Sequence, residues 1–134
     1  MTIPRDEVSD LVPFAHVADV DRSVAFYERL GFEMLHEFVP EDRRVWAFLE
    51  RGDARLMVTE ADEAVDPAAQ AVLFYLYTRD LDALRARLIA VGVDAGEITT
   101  GGPGPDRQMR VEDPDGYCLM VAEIEGERVG VIPG

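Results

Sequence analysis

One pattern occurs twice in this 134-residue chain, and a chain built from a repeated unit has few folds open to it. The first copy opens Val17-Ala18-Asp19-Val20-Asp21 and reaches Gly31-Phe32-Glu33. The second opens Thr78-Arg79-Asp80-Leu81-Asp82 and reaches Gly92-Val93-Asp94. Val20 to Gly31 and Leu81 to Gly92 are the same distance, 11 residues. Each copy ends on one apolar triplet, Leu56-Met57-Val58 or Leu119-Met120-Val121, with Glu60 or Glu123 two residues beyond. Landmarks in the same order at nearly the same offset mark a duplicated unit.

Each copy reads as strand, helix and three further strands. Leu11 to Val17 predicts a strand with Val12, Phe14 and His16 on one face. Asp19 or Asp21 caps a helix carrying Val20, Val24, Tyr27 and Leu30 at helical spacing, and Gly31 stops it. Strands near Glu33–Val39, Arg44–Glu50 and Arg55–Glu60 follow, with turns at Pro40-Glu41-Asp42 and Arg51-Gly52-Asp53. In the second copy Val72–Thr78 predicts a strand. Leu81, Leu84, Leu88 and Val91 mark a helical face, and Gly92 ends that helix. Strands are expected near Asp94–Ile98, Gln108–Glu112 and Tyr117–Glu123, with a mobile Gly/Pro-rich loop over Thr99–Asp106. Asp113-Pro114-Asp115-Gly116 has the residue order of a type I turn. The fold class is α+β: one domain over residues 1–134, with modules at about 11–60 and 72–125 and a linker at about 61–71. A polar arm, Met1–Asp10, and a tail, Gly126–Gly134, flank it.

Composition removes several functions. With 48% apolar and 30% charged residues the chain is soluble and globular, and no apolar run approaches the roughly 20 residues that cross a bilayer. A net charge of −14 repels nucleic acid and permits attraction of a cation. All 13 basic residues are Arg, so a Schiff-base or phosphate-loop lysine is impossible. Ser9 and Ser23 are the only serines, and neither has a histidine near it in sequence. Cys118 is alone, which excludes an internal disulfide and makes a reducing cytoplasm the expected compartment. The acidic N-terminus is no signal peptide.

Two stretches carry a family likeness. Val17-Ala18-Asp19-Val20-Asp21-Arg22-Ser23-Val24-Ala25-Phe26-Tyr27 running to Leu30-Gly31-Phe32, and Glu112-Asp113-Pro114-Asp115-Gly116-Tyr117, resemble the vicinal oxygen chelate superfamily. That superfamily includes glyoxalase I, extradiol dioxygenases, fosfomycin-resistance enzymes and bleomycin-resistance proteins. The likeness spans about Leu11 to Glu125 and implies two βαβββ modules forming a curved mixed sheet around a central cleft. Metal-using members place one ligand on the first strand and one on the last strand of each unit. Transferred by the flanking motifs, these positions are Val12, Leu73, Met57 and Met120, all apolar. A slip of one residue in either direction brings up only other apolar residues. Such side chains cannot replace the hydration shell of a hard or borderline divalent ion. No metal and no cofactor is therefore expected. His16 is expected as a lining residue and His36 at a solvent-facing or rim position.

With those positions apolar, the concave surface becomes a hydrophobic, aromatic pocket. Period two gives Phe14 and His16, Arg55 and Thr59, Tyr75 and Tyr77, and Cys118 and Ala122 on the same faces, with Phe38, Trp46 and Phe48 from middle strands. The candidate ligand-binding set is Phe14, His16, Phe38, Trp46, Phe48, Arg55, Met57, Tyr75 and Met120. Trp46 is the favoured contact, and Arg55 a candidate partner for a ligand carboxylate. Any of these aromatics could equally fill the core. Within the superfamily the chain is most similar to the bleomycin-resistance branch. This implies a metal-free homodimer that sequesters a hydrophobic, aromatic or cationic small molecule such as an antibiotic. The competing expectation is a lyase, isomerase or dioxygenase with an atypical metal site or with acid–base groups such as His16, Glu60, Tyr75 or Glu123.

Overall fold

The computed structural model describes residues 10–100 and 107–124. Most of the polar arm, the tail and most of the Thr99–Asp106 loop lie outside that range. The chain divides into two compact units, residues 1–64 and 65–134.

In the first unit β1 (Phe14–Val17), α1 (Val20–Arg29), β2 (Glu33–Phe38), β3 (Trp46–Arg51) and β4 (Ala54–Glu60) follow in sequence. The sheet order is β1-β4-β3-β2, so the first strand lies parallel to the last and the other neighbours are antiparallel. The β1 strand begins at Phe14 rather than Leu11 because Pro13 has no N–H to give a ladder. Its carbonyl accepts from Met57 N at 2.9 Å instead. Asp19 is the helix cap, its carboxylate accepting from Arg22 N at 3.2 Å. Gly31, at φ +94°, takes the left-handed turn that ends the helix. Ala15, Val17, Ala47, Leu49, Leu56 and Val58 form one buried face, packed with Val20, Val24 and Tyr27 of α1. A bulge between Met34 and His36 shifts the β2 register.

The second unit repeats this plan with β5 (Leu73–Thr78), α2 (Leu81–Ala90), β6 (Thr99–Thr100), β7 (Arg107–Glu112) and β8 (Cys118–Glu123) in the order β5-β8-β7-β6. Asp80 caps α2 through Ala83 N at 3.0 Å, and Gly92 ends it at φ +89°. Leu81, Leu88, Met109, Val111, Leu119 and Val121 are fully or almost fully buried.

Two expectations need correcting. No strand runs over Asp94–Ile98: that segment makes a single bridge, Ala95 to Val111, and the edge strand is the two-residue Thr99–Thr100. Gly96 lies so close to the Arg110 backbone that a side chain there would crowd it, which suits a close approach rather than a regular pleat. Val91, expected on the buried helical face, is exposed because it is already the C-cap, off the helical spiral. The expected turn does form. Gly116 N donates to Asp113 O at 3.0 Å, and the Asp113 carboxylate accepts from Asp115 N and Tyr117 N.

Candidate functional site

Alternation along each strand gives each sheet a second face, opposite the buried one. In the first unit the ladder registers arrange that face in three rows. Glu33, Glu50 and Arg55 form one; His36, Phe48, Met57 and Phe14 the next; Phe38, Trp46, Thr59 and His16 the third. The second and third rows hold aromatic and imidazole rings in a crossed arrangement, with Phe14 beside His16 at one end and His36 beside Phe38 at the other. Phe14 meets His16 edge-on at 5.6 Å, and His36 meets Phe48 edge-on at 5.9 Å. Phe14 is 50% exposed and Phe38 59%, while Trp46, Phe48 and Met57 are half-buried. All seven candidate residues of this unit therefore share one face. His36, expected at a solvent-facing or rim position, is exposed and belongs to the row of Phe48. Arg55, the candidate partner for a ligand carboxylate, is paired with Asp10 at 2.8 Å.

The second unit's corresponding rows are Leu73, Cys118 and Glu112; Tyr75, Met120 and Arg110; and Tyr77, Ala122, Gln108 and Thr99. Tyr75 and Tyr77 stack at 6.1 Å and 23°. Tyr75 and Met120 thus stand side by side. Gln108, Arg110 and Glu112 were missed in the sequence, although period two along the predicted Gln108–Glu112 strand puts them on the face of Met120.

The positions that the family resemblance marks for metal ligands fail a test of donor chemistry. Met57 and Met120 lie at the centres of these faces beside Phe14 and Tyr75, Leu73 lies opposite Cys118, and Val12 precedes β1. Two thioethers and two hydrocarbons do not fit a divalent cation. Among the described residues, one group of three carboxylates has ligand atoms within 4.8 Å of one another: Asp80, Asp82 and Glu123. It is already occupied from within. Arg107 bridges Asp82 and Glu123 at 3.0 Å, Asp80 caps α2, and Glu123 accepts from Leu81 N at 2.9 Å. Hydrogen bonds donated by Arg107 to Asp82 and Glu123 hold its guanidinium above the ordinary pKa. In the first unit Glu37 and then Asp21 do the same for Arg44, against some desolvation. Of the acid–base candidates, Glu60 is paired with Arg43 and Glu123 with Arg107, so both are committed to structure.

A depression of about 180 Å³ at the β2–β3 edge is lined by Gly31, Glu33, Leu35, Glu50, Arg51 and Gly52. It is smaller than a typical small-molecule pocket and touches the ringed rows only through its acidic neighbours, so the ringed face is the stronger candidate. No helix among the described residues is long and apolar enough to cross a membrane.

The family model for the Glyoxalase/Bleomycin resistance protein/Dioxygenase superfamily matches residues 13–121. No curated protein matches the chain in sequence. Among solved structures, a bleomycin resistance determinant encoded on the transposon Tn5 is 26% identical, with a TM-score of 0.73 over 88% of this chain and 99% of that one. A bleomycin-binding protein in complex with bleomycin is also 26% identical, with a TM-score of 0.66 over 88% and 100%. TnmS3, an antibiotic binding protein from Streptomyces sp. CB03234, is 25% identical, with a TM-score of 0.68 over 89% and 98%.

Proposed function

The chain belongs to the Glyoxalase/Bleomycin resistance protein/Dioxygenase superfamily, and on that footing we propose that it sequesters a planar aromatic small molecule, cationic or neutral, without metal chemistry. The observation that carries this reading is the ringed face of the first sheet. Phe14, His16, Phe38, Trp46, Phe48, Arg55 and Met57 share one side of four strands, with no metal-ligand set among them. Tyr75 and Met120 add a second platform on the other sheet. At ordinary strand spacing, four residues across give a strip roughly 14 Å long, and two adjacent rows lie about 7 Å apart. That footprint suits a guest of two or three fused rings.

The physics of holding such a guest is stacking plus desolvation. Each aromatic pair contributes about 0.5–1.5 kcal/mol beyond the area it buries. Trp46 is half-buried, so part of its side-chain freedom is already lost before a guest lands on it. The net charge of −14 favours capture of cations, and the similarity to bleomycin-binding structures supports an antibiotic as the guest. The reading includes a homodimer in a reducing cytoplasm, where the buried Cys118 stays a thiol.

Calorimetry with bleomycin and a panel of planar aromatic cations tests it. Wild-type protein stripped with chelator should bind as tightly as untreated protein. Trp46→Ala should cost about 2 kcal/mol, near thirtyfold in affinity, with melting almost unchanged. A folded protein silent across the panel, or turnover abolished by chelation, would overturn the proposal.

A further inference from the structure

Gln108 is the one described side chain with a buried polar atom that finds no partner. The residue is 7% exposed, and its Oε1 is enclosed without a hydrogen-bond donor. It lies on β7 in register with Ala122 of β8, which is in register with Tyr77 of β5. Met109 and Val111 turn to the core, so Gln108 and Arg110, which alternate with them, lie on the opposite face with the stacked pair Tyr75 and Tyr77 and the half-buried Met120. Of its two neighbours in the row, Ala122 presents only a methyl group and the Thr99 hydroxyl makes no hydrogen bond to it. A buried acceptor that makes no hydrogen bond costs its full desolvation, and Met or Leu would fill the same space without that cost. The cost is recovered when a molecule arriving on this face brings the missing donor.

We infer that Gln108 determines specificity on the second sheet: its Oε1 accepts a hydrogen bond from an N–H group on a planar, amino-bearing aromatic guest. This rests on the binding reading above and narrows it to guests that carry a donor on the ring edge. The long side chain can turn its amide toward the guest by rotating about its single bonds. Tyr75 and Tyr77 then supply the flat contact, and Gln108 selects among flat molecules by the hydrogen they offer.

Two phenothiazinium dyes of the same ring and charge separate the possibilities: thionin, with free amino groups, and methylene blue, with every amino hydrogen replaced by methyl. At physiological salt the wild type should prefer thionin by on the order of tenfold. Gln108→Met should abolish the preference by weakening thionin alone, and should leave the melting temperature of the free protein unchanged or raised. Gln108→Glu, which keeps an acceptor, should keep the preference. Equal wild-type affinity for the two dyes, or a preference that survives Gln108→Met, overturns the assignment while leaving the binding reading in place. A lowered melting temperature for Gln108→Met also overturns it, because Oε1 would then already have its donor within the chain. Failure of the folded wild type to bind either dye removes the binding reading and this assignment with it.

Discussion

The two units have the same element order, the same helix caps and the same parallel pairing of first and last strands, yet their open faces differ. Register makes the comparison residue by residue. Met57 corresponds to Met120, Phe14 to Tyr75 and His16 to Tyr77; Trp46 and Phe48 correspond to Gln108 and Arg110. On the buried faces the pairs are alike: Leu56 and Leu119, Val58 and Val121. A buried face must fill a close-packed volume, so its chemistry is held apolar in both copies. An open face answers to whatever it meets. One copy has kept rings and imidazoles, while the other has phenols, an amide and a guanidinium.

The sharpest structural difference lies at the hairpin between the third and last strands of each unit. Gly116 sits at φ +85° with the Pro67 carbonyl where a Cβ would go, whereas Gly52, at φ +58°, has open space around it. Gly116→Ala should therefore cost about 3 kcal/mol, combining backbone strain with steric overlap, and Gly52→Ala only about 1 kcal/mol for the left-handed backbone. Urea unfolding of both variants would show it. Equal losses would mean that the linker segment at Pro67 gives way freely.

The helix caps probe what the units share. Asp19→Ala and Asp80→Ala should each lower stability by about 1 kcal/mol in the same assay. A much larger loss at Asp80 would mean that the cluster around Arg107 depends on it. Smallest of all should be Arg44→Met and Arg107→Met. Both guanidiniums bridge two carboxylates at the surface, so their loss should fall below that of either cap and fade as salt is raised. A salt-independent loss at one of them would reveal that its cluster is shielded from solvent in a way its counterpart is not.

Much of this was open to reading in the chain. Asp19, Gly31, Asp80 and Gly92 bound the helices through local capping and left-handed turns, and the Asp113–Gly116 turn depends on neighbours within four residues. The strand alternation that sets Trp46 and Phe48 against Ala47 is equally local. The errors arose where distant pieces meet. The Asp94–Ile98 segment has Gly96 against Arg110, a contact its own residues do not announce. The bulge in β2, which brings the exposed His36 into the Phe48 row, is likewise set by pairing with a distant strand. The pairing of Arg55 with Asp10 joins residues 45 apart in sequence.

The amino-acid order alone determined the duplication, the two helices, the apolar faces of the longer strands and the absence of imidazole or carboxylate at the four places that the family resemblance marks. Those properties follow from spacings of a few residues, where backbone geometry leaves one choice. Only the folded chain decided which side chains stand in a common row, that Arg107 fills the acidic cluster of Asp80, Asp82 and Glu123, and that Gln108 is enclosed without a donor. Cross-strand register joins residues far apart in sequence, and its energy is shared over whole ladders rather than written at any one position.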